Sequence, residues 1–188
     1  MPLIKPDSIA SKTWDALTGE YYRERYEWVA SQRIAAPLLD VGSGQGYQAV
    51  LMARQLGATV DCLDIDSSLL ECAEEIARLN GVSISTWLGC AEAIPFGAGA
   101  FATVCAFEML EHLTNTSVRA ALCEFRRVLI PGGTLLVSTP QHGVMTELHG
   151  HLQDFLAGDL ISLLVDAGFE PDDLNKTELF QCIRARRL

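Results

Sequence analysis

The 188-residue sequence is poor in basic side chains: 14 lysines and arginines stand against 24 aspartates and glutamates, a formal charge of -10. Phosphate backbones need a basic surface, so nucleic acid is not the expected partner. Long apolar runs are also missing. Nowhere do about 18 uninterrupted apolar residues occur, so no membrane span is expected. The opening stretch MPLIKPDSIASKTWD has no apolar centre of a secretory leader. The six cysteines, Cys62, Cys72, Cys90, Cys105, Cys123 and Cys182, include no C-x-x-C pair. Neither a disulfide framework nor a zinc site is therefore expected, and buried thiols in a reducing cytoplasm are the remaining reading.

What is present is an ordinary globular composition, 49% hydrophobic and 20% charged, at a length that suits one domain. The stretch TGEYYRERYEWVASQRIA has Tyr22, Tyr26 and Val29 near helical spacing. After Pro37, the short apolar run Leu38 to Val41 gives a strand. Tyr47 to Leu56 has helical periodicity and stops at Gly57. Thr59 to Leu63 predicts a second strand, followed by a helix capped by Asp66 or Ser67 and ending near Asn80-Gly81.

Val82 to Leu88 and Phe101 to Phe107 predict two more strands, and Asn115 to Leu129 a helix closed by Pro131-Gly132-Gly133. Thr134 to Thr139 follows as a strand and Leu156 to Ala167 as a helix. Phe169 to Leu174 and Leu179 to Arg186 complete the chain as an antiparallel pair. Strands alternating with helices imply an α/β fold with a mainly parallel sheet covered on both faces. In such folds ligands bind at the carboxyl ends of the strands, where strand order reverses. The loops after Val41, Leu63, Leu88 and Phe107 are thus expected to line the site.

The segment LLDVGSGQG alternates Gly42, Gly44 and Gly46 between a strand and a helix. Glycine tolerates positive φ and lets a ligand reach the backbone, while the helix start presents free N–H groups. Asp64, about 20 residues past the loop at the end of the second strand, suits the two hydroxyls of a ribose. Asp66 fits a helix-start carboxylate better. Together these features favour a ligand containing adenosine. The dinucleotide fingerprint G-x-G-x-x-G is not met, because the third glycine comes one residue early and Tyr47 occupies the place reserved for it.

The spacing G-x-G-x-G after LLDV resembles motif I of class I S-adenosylmethionine-dependent methyltransferases. Further blocks carry the resemblance from about Tyr21 to the C-terminus: LDIDSSLL, AEAIPFGAGAF, FEMLEHL, RRVLIPGGTLLVSTP and LLVDAGF. Among its subgroups the sequence looks most like the methyltransferases of quinone biosynthesis and related small-molecule-modifying enzymes. The resemblance implies a Rossmann-like three-layer sandwich with a mainly parallel seven-stranded sheet and an antiparallel C-terminal edge. It also implies a helical lid over residues 1–35, a methyltransferase domain over residues 36–188, S-adenosylmethionine as cofactor and a small-molecule acceptor.

Carried over by that resemblance, Asp40, Gly42, Ser43, Gly44 and Gly46 would hold the methionine end of the cofactor. Asp64 would hold the ribose and Ile65 would flank the adenine. Relatives often carry an aspartate for the adenine amino group after the third strand. Cys90 stands there in this chain, with the Ala91 backbone and the Glu92 carboxylate as the other candidates. Phe107, at the end of the fourth strand, would lie under the transferred methyl group. On the lid, Tyr21, Tyr22, Arg23 and Arg25 are positioned to cover the cofactor, an arginine pairing with its carboxylate.

On the acceptor side, Glu108, Glu111 and His112 of FEMLEHL are candidates for contact, His112 foremost. His142, His149 and His151 cluster in STPQHGVMTELHGHLQDF. His151 or His149 is the expected general base where the acceptor needs one, with Asp154 orienting it. No metal is expected, because no cysteine completes a tetrahedral set around the H-x-H pair. A non-catalytic S-adenosylmethionine-binding module is the alternative function, and a nicotinamide-dependent oxidoreductase a weaker one.

Overall fold

A computed structural model describes residues 3, 5, 20–143 and 150–188, with side chains from residue 22 onward in the first helix. Seven strands form one sheet in the order β3-β2-β1-β4-β5-β7-β6. Its first five members are β1 (Leu38–Val41), β2 (Val60–Asp64), β3 (Ile84–Leu88), β4 (Phe101–Phe107) and β5 (Leu129–Pro140). Each pairs in parallel with its neighbours among them. The hairpin of β6 (Phe169–Lys176) and β7 (Phe180–Arg187) completes the sheet, and β7 runs antiparallel to both β5 and β6. The last strand is therefore the inner member of the pair, and β6 forms the edge.

Side-chain alternation sorts the core onto the two faces of this sheet. Leu39 and Val41 of β1, Val104 and Ala106 of β4, and Leu135 and Val137 of β5 enter one cluster. There they meet Val118, Leu122 and Phe125 of α4 (Asn115–Val128) and Leu160 and Leu164 of α5 (Ala157–Asp166). The intervening residues Leu38, Cys105, Phe107 and Leu136 pack on the other face. Their partners are Trp28 and Val29 of α1 (Glu20–Ser31), Ala49 and Met52 of α2 (Tyr47–Leu56) and Leu70 of α3 (Ser67–Leu79). Asp40 follows Leu39 and so points toward the face covered by α1 and α2.

Helix ends follow local chemistry. Asp66 caps α3 by accepting from the Ser68 amide at 2.8 Å, and Gly57 closes α2 with φ 62. The Pro131-Gly132-Gly133 block departs from expectation. The helix has already ended at Val128, and the block lies inside β5 with a register shift against β4 between Phe101 and Thr103. A Cβ on Gly133 would stand 2.9 Å from the Ile130 carbonyl, so glycine is what lets the strand bend there.

Candidate cofactor and acceptor site

The sheet order reverses between β1 and β4, and the loops leaving those strands build a two-part cleft. The first part is a chamber of about 130 Å³ bordered by Tyr22, Arg25 and Tyr26 of α1, Asp40, the glycine loop, and Phe107 and Glu108. The second, of about 360 Å³, runs past Asp64, Ile65, Leu69, Gly89, Ala91 and Glu92 to Met109, His112 and Leu113. Gly42 and Glu108 border both.

The glycine loop is tied to the end of β2. Gly42 and Ser43 donate to the Leu63 carbonyl at 2.8 and 3.2 Å, and Gly44 donates to Asp64 Oδ2 at 2.7 Å. Asp64 Oδ1 accepts from the Asp66 amide at 3.0 Å. An ionised carboxylate has about four acceptor positions. Two are used, leaving two for hydroxyl donors in the cleft.

The three glycines have different duties. All have positive φ, of 68, 53 and 69° at Gly42, Gly44 and Gly46. A Cβ on Gly42 would stand 2.8 Å from Met109 Cβ, and one on Gly46 would stand 2.5 Å from Ala73 Cβ. A Cβ on Gly44 would meet nothing within 4 Å. Gly46 thus lets α2 approach α3 and borders neither cavity, whereas Gly44 faces open space.

Arg25 is the centre of the chamber's electrostatics. It is 6% exposed, its guanidinium lying 4.6 Å from the ring centre of Tyr22, 5.1 Å from Tyr26 and 5.6 Å from Phe107. Its link to Glu108 is long, at 3.8 Å, and its Nε has no hydrogen-bond acceptor. Burial pushes the Asp40 carboxyl up to about 7, with Arg25 opposing the rise and Asp64 adding to it. Burial likewise raises Glu108 against the pull of Arg25 and of Ser138, whose hydroxyl donates to Glu108 Oε1 at 2.6 Å. Glu111 is raised by burial and by the charge of Glu108.

Of the other expected site residues, Ser43 lines the chamber, and Ile65, Ala91, Glu92 and His112 line the larger cavity. Cys90 lines neither, so the stretch bordering the cleft after β3 is Gly89, Ala91 and Glu92. Arg23 points outward and reaches Glu27 at 3.8 Å, leaving Arg25 as the α1 arginine that borders the chamber. His149 and the side chain of Tyr21 lie outside the described residues.

One expectation on the acceptor side is corrected. Asp154 does not orient His151: its Oδ2 is 2.8 Å from His142 Nδ1, and its Oδ1 accepts from the Gly143 amide at 3.3 Å. His151 packs edge-to-face on His112 at 4.8 Å. The expectation of no metal rested on the H-x-H pair and its cysteine neighbours. The fold gathers Glu111, His112 and His151, with donor atoms all within 4.8 Å of one another. Spacing offered Glu111 as a candidate contact but not its burial, because an acid in EMLEH reads as a polar turn residue, whereas it is 1% exposed.

A glycine loop tied to an acid at the end of β2, at the switch point of a mainly parallel sheet, defines a protein of the Rossmann-like α/β class. Residues 38–133, just over half of the chain, match the family model described as a methyltransferase domain, and the chain belongs to that family. Over 173 residues it is 34% identical to a probable S-adenosylmethionine-dependent methyltransferase of Mycolicibacterium smegmatis, covering 86% of this chain and 65% of that one. It is also 34% identical over 145 residues to a ubiquinone biosynthesis O-methyltransferase of Xanthomonas euvesicatoria, covering 73% of this chain and 59% of that protein. The chain thus spans less than two thirds of these curated relatives. The same fold occurs in a SAM-dependent methyltransferase from Aquifex aeolicus, with a TM-score of 0.78 at 15% identity, covering 96% of this chain and 100% of that one.

Proposed function

We propose that the protein is an S-adenosylmethionine-dependent methyltransferase acting on a small-molecule acceptor. The observation that carries this reading is the pair of cavities meeting at Gly42 and Glu108, one lined by aromatic rings with Arg25 and Asp40, the other apolar beside a ribose-compatible aspartate. The open space beyond Gly44 and the two unused acceptor positions on Asp64 fit a nucleoside. The unpartnered Nε of Arg25 fits a carboxylate, and Asp40 fits an ammonium group beside it.

When bound, S-adenosylmethionine supplies a methyl group on a sulfonium, which an acceptor nucleophile takes by in-line displacement. The chain's own contribution is then largely positioning. Well-oriented reactants gain on the order of 7 to 11 kcal/mol over free encounter. Asp64 and the loop fix the nucleoside, Arg25 and Asp40 the amino-acid end, and Tyr22, Tyr26 and Phe107 keep water from the chamber. Met109 and Leu113 offer the acceptor an apolar wall. The ubiquinone biosynthesis relative supports a quinone-type aromatic acceptor within this proposal, and the six free cysteines support a cytoplasmic setting.

Calorimetry with S-adenosylmethionine, S-adenosylhomocysteine and NAD tests the cofactor. The two adenosyl compounds should bind at least tenfold tighter than NAD, and Asp64→Ala should weaken them by tenfold or more. Preferential binding of NAD would sink the reading. Cofactor binding without turnover on aromatic and aliphatic acceptors would instead support the binding-module alternative.

A further inference from the structure

At the end of β4 the chain turns abruptly. Glu108 takes φ 50, a left-handed conformation that side chains rarely adopt, and Leu110–His112 closes a single 3-10 turn. Leu110 enters the core, and Glu111 is drawn inward with it. Both Glu111 carboxylate oxygens are shielded from solvent without a hydrogen-bond partner. Buried polar groups in folded proteins are nearly always satisfied, and an orphan carboxylate calls for a missing partner.

His151 reaches the same place by another route. The amides of Leu152 and Gln153 donate to the Glu111 carbonyl at 2.7 and 3.0 Å, fastening the segment that carries His151 to the turn. The imidazoles of His112 and His151 meet edge-to-face, and one donor atom from each of the three side chains lies within 4.8 Å of the others. Packing alone accounts for the ring contact. It leaves the carboxylate bare, whereas a cation would engage it.

We propose that Glu111, His112 and His151 bind a divalent first-row transition-metal ion. Two imidazoles and one carboxylate suit zinc, manganese or iron(II), while magnesium and calcium favour oxygen donors alone. Such ligands stand about 2.0–2.2 Å from a zinc ion. The three donors therefore close inward on binding, chiefly by rotation of the exposed His112 and the half-buried His151.

Three protein ligands leave a coordination position open for a small molecule. His112 borders the larger cofactor cavity, and Glu111 and His151 border a second, small one with Thr139 and Gln141. The ion's place is the boundary between the two. Resting on the methyl-transfer reading, the occupant of the open position is an acceptor hydroxyl. Its O–H bond breaks with the proton passing to water, and the oxygen keeps the electron pair, because a bound cation lowers the pKa of the oxygen it holds. This makes oxygen the methylated atom.

Cobalt(II) titrated into the chelator-treated full chain tests the site, since its visible absorption reports the ligand set. A saturable band at about one equivalent is expected on the three-ligand assignment. Glu111→Gln and His151→Ala should each weaken binding at least tenfold while S-adenosylhomocysteine affinity is retained. Should Glu111→Gln fail to fold, His151→Ala carries the test, because its side chain is half-buried. Absence of a saturable band in the wild type, or unchanged titrations in the folded variants, overturns the site. Cobalt binding without S-adenosylhomocysteine binding supports the site and removes the cofactor reading. The converse retains the cofactor and removes the site.

Discussion

Gly44 and Gly46 both have positive φ, yet the space beside each sets different outcomes for a single methyl group. In Gly46→Ala the new Cβ would collide with Ala73 at 2.5 Å, in a conformation of φ 69. A stability loss of about 1–3 kcal/mol is expected in urea unfolding. Gly44→Ala meets open space and carries only the left-handed penalty, roughly 1–2 kcal/mol. Calorimetry should instead show the cofactor's affinity falling by tenfold or more, because the methyl group enters the volume proposed for the nucleoside. Equal effects of the two variants on stability and on binding would contradict this division.

Asp40 supplies a pH prediction at the same scale. Its folded carboxyl titrates at about 7 instead of near 3.8, so between those values the folded chain holds a proton that the unfolded chain has released. Its contribution to stability is fully present below the unfolded pKa and is lost as pH rises through 7. Without cofactor, the wild type should match Asp40→Asn in urea stability near pH 4 and fall progressively behind it toward pH 8. A difference that does not change with pH would refute the assignment. The position was legible in the sequence as part of LLDVGSGQG. Its titration was not, since it depends on burial and on the opposing charge of Arg25, both set by long-range packing.

At the scale of elements, α1 places the cation and aromatic rings that complete the chamber. Its sequence suggested a lid but did not distinguish Arg23 from Arg25. The two arginines are two residues apart and so face different directions on a helix. Only packing against Phe107 and Phe180 decides which enters the site. A hydrogen-bonded charge contributes ~1.5–3 kcal/mol, about tenfold to a hundredfold in affinity. Arg25→Met should lose that much toward S-adenosylmethionine and little toward its decarboxylated analogue. An equal loss for both ligands would assign Arg25 to support of the fold. The alternation of strands and helices was legible because period and caps agree over whole elements. The bend at Pro131-Gly132-Gly133 was not: proline and glycine read as a loop, whereas pairing of the flanking Leu129 with β4, and of Thr134 with both β4 and β7, carries the strand past them.

For the whole molecule, the cleft draws on the loops after β1, β2, β3 and β4, so a ligand filling it joins four neighbouring strands across the switch point. Sequence spacing points to the glycine loop and Asp64 side of this cleft because those residues lie close to one another along each βα unit. The acceptor side is built by long-range packing: Glu111 is fixed by the segment at Leu152 and Gln153, and Asp154 turns to His142. That asymmetry predicts how stability responds to ligands. At a hundred times its Kd, a ligand that binds only the folded state adds about 2.7 kcal/mol. For a chain of this size each kcal/mol moves Tm by roughly 2–4 °C. Saturating S-adenosylhomocysteine should therefore raise Tm by about 5–11 °C, and NAD at the same concentration should leave it within a degree or so. Because the four strands share one sheet, the shift should appear as a single cooperative transition; a ligand that split the melt in two would show that the cleft does not couple them.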